Sequence, residues 1–150
     1  MYDTDSLPPK HENPDDDVIT VSDLKIYNAV VGGQMSLEYT MDVTEEIEDG
    51  PLAVFEMSSA YVGLPCFEDN FGSCTYRMCE GTSDVEKQIG APWNNECPIP
   101  PGTYHSYLNV TIPSMADLYI EESRLYVEVE YSNSEEYLGC VEFGATVEGA

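Results

Sequence analysis

The segment Tyr104–Ile112 reads YHSYLNVTI and alternates between two kinds of side chain. Leu108, Val110 and Ile112 occupy every second position, and polar groups such as Asn109 fall between them. Successive side chains of a β-strand point to opposite faces, so a period of two is typical of a strand with one buried face. The segment therefore predicts a β-strand that packs one face on a hydrophobic core.

The same period recurs along most of the chain. About seven or eight short strands with polar connections indicate an antiparallel β-sandwich. We therefore predict an all-β, immunoglobulin-like antiparallel sandwich over residues 18–150. The other alternating or β-rich runs are Val18–Tyr27, Met35–Met41, Leu52–Met57, Tyr61–Leu64, Leu125–Tyr131 and Val141–Val147.

Two segments depart from this pattern. Residues 1–17 are acidic and rich in proline, and we expect a mobile N-terminal tail. Thr82–Ile89 is the one stretch that favours a helix, of two turns at most. Ser83 can cap it, because Glu86 follows three positions later and completes a capping box.

The charge is strongly unbalanced, with 29 acidic residues against 5 basic ones and a net charge of −24. A nucleic-acid-binding protein needs clustered Lys and Arg, so DNA and RNA are excluded as partners. Acids such as Glu38, Glu128, Glu130 and Glu142 fall on the polar positions of their strands. We therefore expect most of the acid on a solvated exterior.

The five cysteines are Cys66, Cys74, Cys79, Cys97 and Cys140. None forms a C-x-x-C pair, which disfavours zinc and favours a disulfide framework in an oxidising compartment. The first four allow three connectivities, and spacing does not choose among them. The fifth, Cys140, is expected to be the odd one.

Secretion would suit these cysteines, although the segment after Met1 is polar and shows no signal peptide. We expect a mature form with an added initiator Met. Asn109-Val110-Thr111 is the single N-glycosylation sequon and predicts a glycan on Asn109.

The sequence gives little evidence for a catalytic site or a metal-binding site. His11 lies in the tail and His105 in a strand, with no nucleophile motif beside either. Calcium is a competing hypothesis, with Asp15–Asp17 plus Asp23, or Glu45–Asp49, as oxygen ligands. Neither group has EF-hand spacing, so we expect no metal. Because neither histidine has a nucleophile motif beside it, we also expect no enzyme, and we expect no cofactor.

Three motifs in order resemble the ganglioside activator family within the lipid-recognition (ML) superfamily. Leu64–Cys79 contains Pro-Cys, a short loop, Gly-Ser-Cys-Thr-Tyr and a further Cys. Cys97–Tyr104 matches Cys-Pro-x-x-x-Gly-Thr-Tyr, and Leu138–Cys140 precedes an alternating final strand. The resemblance implies a cup-like sandwich with an apolar cavity between two sheets.

The resemblance also implies two disulfides, Cys66–Cys74 and Cys79–Cys97. It leaves Cys140 outside them, because the family's partner cysteine near the N-terminus is absent from this sequence. Ligand identity does not transfer, since the loop between Cys79 and Cys97 is shorter than in the type member of the family.

Aromatic and apolar residues are matched to the rim and the wall of that cavity. Tyr61, Trp93, Tyr119 and Ile120 are expected at the rim, where a membrane would be contacted. Candidates for the cavity wall are the inward-facing residues of the alternating runs. They are Met35, Leu37, Met41, Val54, Leu108, Val110, Leu125, Val127, Val129, Val141 and Phe143.

These features together predict a non-enzymatic protein that binds and transfers a lipid or sterol-like ligand, secreted or lysosomal. A membrane surface at acidic pH and a lipid hydrolase are its expected partners. The alternatives are a secreted signalling or interaction protein with a filled cavity, and an acidic calcium-associated protein. A pocket of several hundred cubic ångströms would favour the carrier.

Overall fold

The computed structural model describes residues 4–6, 17–48, 50–60, 62–134 and 136–149. Its architecture is antiparallel β, with one short α-helix between the strands. The strands are β1 (Thr4–Ser6), β2 (Ile19–Tyr27), β3 (Gln34–Val43), β4 (Pro51–Ser59), β5 (Val62–Gly63), β6 (Cys66–Phe67), β7 (Phe71–Gly72), β8 (Thr75–Arg77), β9 (Gly102–Thr111), β10 (Arg124–Asn133) and β11 (Glu136–Thr146).

The larger sheet has the order β1-β11-β10-β4, and β5 and β8 both pair with the far edge of β4. β10 and β11 form an antiparallel hairpin, with Val129 opposite Val141. On the other side of β10, Val129 faces Phe55 of β4. This register places alternate residues of all three strands on the inner face.

The smaller sheet has the order β2-β3-β9. Leu37 of β3 lies opposite Leu108 of β9, so the run that predicted a strand packs its apolar face inward. The register of β2 shifts between Ser22 and Lys25, where Asp23 has a φ of 53°. β2 therefore bulges at its middle.

The core lies between the two sheets, whose inward apolar side chains are buried together. The two sheets approach each other closely where β2 meets β11, because a Cβ on Gly139 would overlap the carbonyl oxygen of Ile19. Only glycine allows this backbone approach. The sandwich is therefore closed at this corner.

The helix α1 (Asp84–Gly90) begins with the predicted capping box, in which Ser83 and Glu86 bind each other's backbone. The Glu86 carboxylate also accepts a hydrogen bond from the backbone N–H of Arg77 in β8, at 2.7 Å. Burial raises the pKa of Glu86, but the bonds from Arg77, Ser83 and Thr82 outweigh it and hold the pKa below the ordinary value. α1 is thereby attached to the larger sheet.

Both disulfides implied by the resemblance are present, Cys66–Cys74 and Cys79–Cys97. Cys140 lies outside them, half-buried on β11. Its thiol is close to the hydroxyl of Tyr137, which donates to Asp17 at 3.4 Å. Burial, followed by the nearby Cys140 and Asp17, raises the pKa of Tyr137.

The sequence did not predict β1, which falls within the segment expected to be a mobile tail. Thr4 pairs with Ala145 and Ser6 with Phe143, so β1 covers the edge of β11. Residues 7–16, including His11, lie outside the described residues. The tail and the domain boundary at residue 18 stay predictions.

None of the helices in the described part of the chain combines the length and the apolar character needed to cross a bilayer.

Candidate functional site: the inter-sheet cavity

A small apolar cavity lies between the two sheets, with a volume of about 20 Å³. Both sheets and the bulged part of β2 contribute to its wall. The lining residues are Val21, Leu24, Leu37, Tyr39, Phe55, Leu108, Val129, Tyr131, Val141 and Phe143. A void of this size holds about one water molecule, so the interior is nearly filled.

Ten of the eleven predicted wall residues fall into two groups. Leu37, Leu108, Val129, Val141 and Phe143 line the void. Five others are buried in the surrounding core, where they pack the sheets together without reaching the void. These are Met35, Met41, Val110, Leu125 and Val127.

The prediction is wrong for Val54. It lies opposite Glu130 on β10, and Glu130 is exposed on the outer face. Phe55 takes the inner position instead, opposite Val129. A shift of one residue in a strand moves a side chain to the other face of the sheet, which is the physical reason for the error.

Besides Phe55, sequence reasoning missed Val21, Leu24, Tyr39 and Tyr131 in the wall. The alternation did place Tyr39 and Tyr131 on the inner side of their strands, so it could have identified both as wall residues. Val21 and Leu24 are three positions apart, and they share the inner side because of the bulge at Asp23. A bulge of this kind interrupts the period of two, so alternation in the sequence does not show that both residues face inward.

Two phenols and one hydroxyl bring polar atoms into this apolar interior. Burial raises the pKa of Tyr39 to about 12, and the neighbouring Ser106 hydroxyl lowers it by a smaller amount. Burial also raises the pKa of Tyr131 well above the ordinary value, with Tyr39 and Cys140 adding to the effect. The three side chains are therefore neutral throughout the physiological pH range.

The prediction for Trp93 at the rim is wrong. Trp93 is 6% exposed, and its Nε1 donates to the carbonyl oxygen of Met78 at 2.8 Å. Its ring packs edge-to-face on Tyr104 at 5.3 Å between centroids. The indole is part of the core because both its apolar ring and its N–H find partners there.

The other rim predictions fall around the 3₁₀ helix Ser114–Leu118. Tyr119 and Ile120 follow it, half-buried, and the Tyr119 ring contacts Phe67 at 5.8 Å between centroids. Tyr61 lies outside the described residues. Tyr119 and Ile120 stay predictions for membrane contact.

Three large apolar side chains at the same end of the sandwich are more exposed. Leu118 is 81% exposed, Met115 63% and Val62 52%. Val62 belongs to β5, which pairs with the end of β4. Ser59 in that end of β4 bonds Glu121 and Arg124, just after the 3₁₀ helix. We call Val62, Met115 and Leu118 the rim patch.

The outer face of the larger sheet carries a row of carboxylates. Glu128 lies opposite Glu142 on one side and opposite Glu56 on the other. The row borders a surface groove of about 830 Å³ that also contains Arg124 and Tyr126. This confirms that these acids face solvent, as the alternation predicted.

Possible ligands for a metal are few among the described residues. Cys66, Asp69 and Cys74 lie close together, but both sulfurs are joined in a disulfide. Of the calcium candidates, Asp15, Asp16 and Asp49 lie outside the described residues, whereas Asp23 and Glu45 are exposed. His105 is exposed, with its Nδ1 at 3.2 Å from Thr40 Oγ1.

The predicted glycan site, Asn109, lies within β9. It is half-buried, and its Oδ1 accepts a hydrogen bond from Ser36 Oγ at 2.7 Å. A groove of about 530 Å³ between β9 and α1 borders it. Glycosylation of Asn109 stays a prediction.

The ML domain family model matches residues 12–147 of the chain, and the protein belongs to that family. The resemblance to the lipid-recognition (ML) superfamily is thus confirmed. No curated protein matches the chain.

Two solved structures share the fold. A Niemann-Pick type C2 protein from Japanese carpenter ant is 13% identical, with a TM-score of 0.52, covering 87% of this chain and 93% of its own. Chicken MD-1 complexed with lipid IVa is 15% identical, with a TM-score of 0.51, covering 98% and 99%. Both likenesses confirm the predicted β-sandwich.

Proposed function

We propose that the protein binds a lipid non-enzymatically and holds its apolar part between the two sheets. The observation that carries this is the apolar wall to which both sheets contribute, with Leu37 and Leu108 facing Val129 and Phe143. The structure of chicken MD-1 with lipid IVa supports it, because the same fold accommodates a lipid there. Each CH₂ group of a buried chain would contribute about 0.8 kcal/mol.

The interior has to widen before it can accept a chain. The strands that line the cavity pair only within their own sheet, among the described residues. The sheets face each other through side chains, so widening breaks no hydrogen bond of either ladder. Val21, Leu24 and Val141 are already half-buried and border the region that would open.

Titration with a fluorescent fatty acid tests this function, together with mass spectrometry of an organic extract of the purified protein. Leu24→Glu places a charge in the cavity wall, whereas Thr20→Glu places the same charge on the exposed side of β2. We expect about tenfold weaker binding for Leu24→Glu, since a carboxylate would have to be buried beside the chain. Thr20→Glu should bind like the wild type.

Extraction of the lipid would involve contact between the rim patch and a membrane. Asp117, Glu121 and Glu122 surround this patch and repel anionic membranes at neutral pH. The sequence pI is about 4.1, so the net negative charge is much smaller at about pH 4.5 than at neutral pH, and vesicles with anionic lipid should bind better there. Leu118→Ser should weaken this binding, and Leu52→Ser, at the opposite end of β4, serves as its control.

The location and the enzyme partner are parts of the same proposal. Two disulfides suit an oxidising compartment, which favours a secreted or lysosomal protein. The protein would then present its lipid to a hydrolase without performing bond chemistry itself. Localisation of the tagged full chain and co-purification with a lipid hydrolase test these points.

The small cavity favours one alternative, an interaction protein whose interior is filled. Its 20 Å³ are far below the several hundred cubic ångströms of an open ligand pocket. The same titration separates the two functions. If the wild type binds neither the fatty acid nor a sterol probe and yields no lipid on extraction, the interaction protein is the correct reading.

A further inference from the structure

Ser106 is a hydroxyl buried among apolar neighbours on the inner side of β9. It is 4% exposed, and it shares that side with Leu108 and Val110. Among the described residues, its Oγ is the one buried side-chain polar atom without a hydrogen bond of good geometry, although the Tyr39 hydroxyl lies near enough to interact with it. Such a group destabilises the fold unless something satisfies it. A small apolar residue would avoid this cost, so the hydroxyl itself requires an explanation.

Two phenols accompany Ser106. Tyr39 lies directly opposite it in the pairing of β3 with β9 and is also buried. Tyr131 reaches the same cavity from the facing sheet, and its ionisation is opposed by the nearby Tyr39. The two tyrosines therefore place hydrogen-bonding groups in the wall of a void whose other lining residues are apolar.

The void lined by Tyr39 and Tyr131 has room for one small polar group. Its volume of about 20 Å³ is close to that occupied by a single water molecule. The terminal oxygen of a ligand could take this position once the sheets have separated enough to admit its chain.

The charge of this interior restricts the group further. Lys25, Arg77 and Lys87 are exposed, and Arg124 borders the outer groove. None of these four cations lines the inter-sheet void, and burying an unpaired charge there is very unfavourable. A group that binds in this void must therefore be neutral.

We propose that the cavity selects ligands that place a neutral hydrogen-bonding group, a hydroxyl or a protonated carboxyl, beside Ser106 and Tyr39. This rests on the lipid-binding function proposed above and adds the chemical class of the ligand. Ser106 and Tyr39 donate to or accept from the polar group, while Leu37, Val129 and Phe143 contact the chain. Hydrocarbons of equal size lack these bonds and leave the hydroxyls unsatisfied.

Displacement of the neutral fluorescent probe N-phenyl-1-naphthylamine by decan-1-ol or undecane tests the selectivity. The two competitors have the same number of non-hydrogen atoms. We expect the preference for decan-1-ol over undecane to fall about five- to tenfold in the double variant Ser106→Ala with Tyr39→Phe. Thr40→Val changes the neighbouring outward residue of β3, and it should leave the preference unchanged.

Decanoic acid gives a second readout. Its affinity should rise as the pH falls through its own carboxyl pKa, because only the protonated acid suits the interior. Equal or tighter binding of the ionised acid would overturn the proposal.

The remaining outcomes are distinct. An unchanged preference in the double variant would mean that a water satisfies Ser106 or that the polar end stays at the rim, and lipid binding would stand without this selectivity. If the wild type binds neither the probe nor any competitor, lipid binding fails and the selectivity fails with it.

Discussion

The side-chain amide of Gln88 forms two hydrogen bonds with the backbone of Asn109. Its Nε2 donates to the carbonyl oxygen at 3.0 Å, and its Oε1 accepts from the N–H at 2.6 Å. One side chain of α1 thus occupies the position that a further strand would take beside β9. Covering an edge in this way prevents pairing with another chain.

Gln88→Ala should lower the free energy of unfolding by about 1–3 kcal/mol, because it leaves a donor and an acceptor of β9 without a partner. Urea unfolding measures this, and size-exclusion chromatography reports association through the uncovered edge. Lys87→Ala, at the adjacent exposed position, should stay within about 0.5 kcal/mol of the wild type. Equal stability of the two variants would contradict the role given to Gln88.

Trp93 is the only tryptophan of the chain, so its fluorescence reports one position. We expect emission at the short wavelength of a buried indole, with little quenching by acrylamide, since the ring is 6% exposed. Anionic vesicles should leave this emission unchanged at both acidic and neutral pH. A vesicle-dependent shift of the emission wavelength in the folded protein would indicate that Trp93 lies at the rim and would contradict its assignment to the core.

Glu56→Gln should stabilise the protein by about 0.5 kcal/mol, since like charges directly opposite each other on neighbouring strands are destabilising. Glu56 faces Glu128 in the carboxylate row. The gain should shrink as salt is added, because the repulsion is screened. Glu96→Gln removes an exposed acid from the loop after Trp93 and controls for the change in net charge. The same gain in both variants would show that only net charge matters.

Tyr39 should make the protein sensitive to alkali. Its ordinary pKa is 10.0, and the folded protein raises this to about 12. Between these two values the unfolded chain has lost the proton and the folded chain keeps it, so stability falls as pH rises. The slope from this one group is about 1.4 kcal/mol per pH unit.

Tyr39→Phe should flatten that loss between about pH 10 and pH 12. Tyr107→Phe removes the hydroxyl of a tyrosine that is 52% exposed and serves as the control. Urea unfolding at several pH values gives the slopes. Parallel curves for the wild type and Tyr39→Phe would disprove the contribution of Tyr39.

The strands could be predicted because a period of two is a local property of the chain. The run Leu52–Met57 shows where this fails, since Ala53, Val54 and Phe55 are all apolar and the alternation is lost. Which of them faces inward is set by the pairing of Glu56 with Glu128, a relationship between distant segments.

The site was less predictable than the fold. An aromatic ring such as Trp93 suits a membrane interface and a core equally well by its chemistry. Its environment was decided by Met78 and Tyr104, which come close only after folding. The volume of the cavity likewise depends on how both sheets pack, and no single segment determines it.

The helix α1 has seven residues, yet two of its side chains reach different sheets. Glu86 and Gln88 are two positions apart, which turns them about 200° from each other around the helix axis. One bonds Arg77 in the larger sheet and the other bonds Asn109 in the smaller sheet. α1 therefore acts as a clasp that joins the two sheets through side-chain hydrogen bonds on this side of the interior, and separating the sheets here would break them.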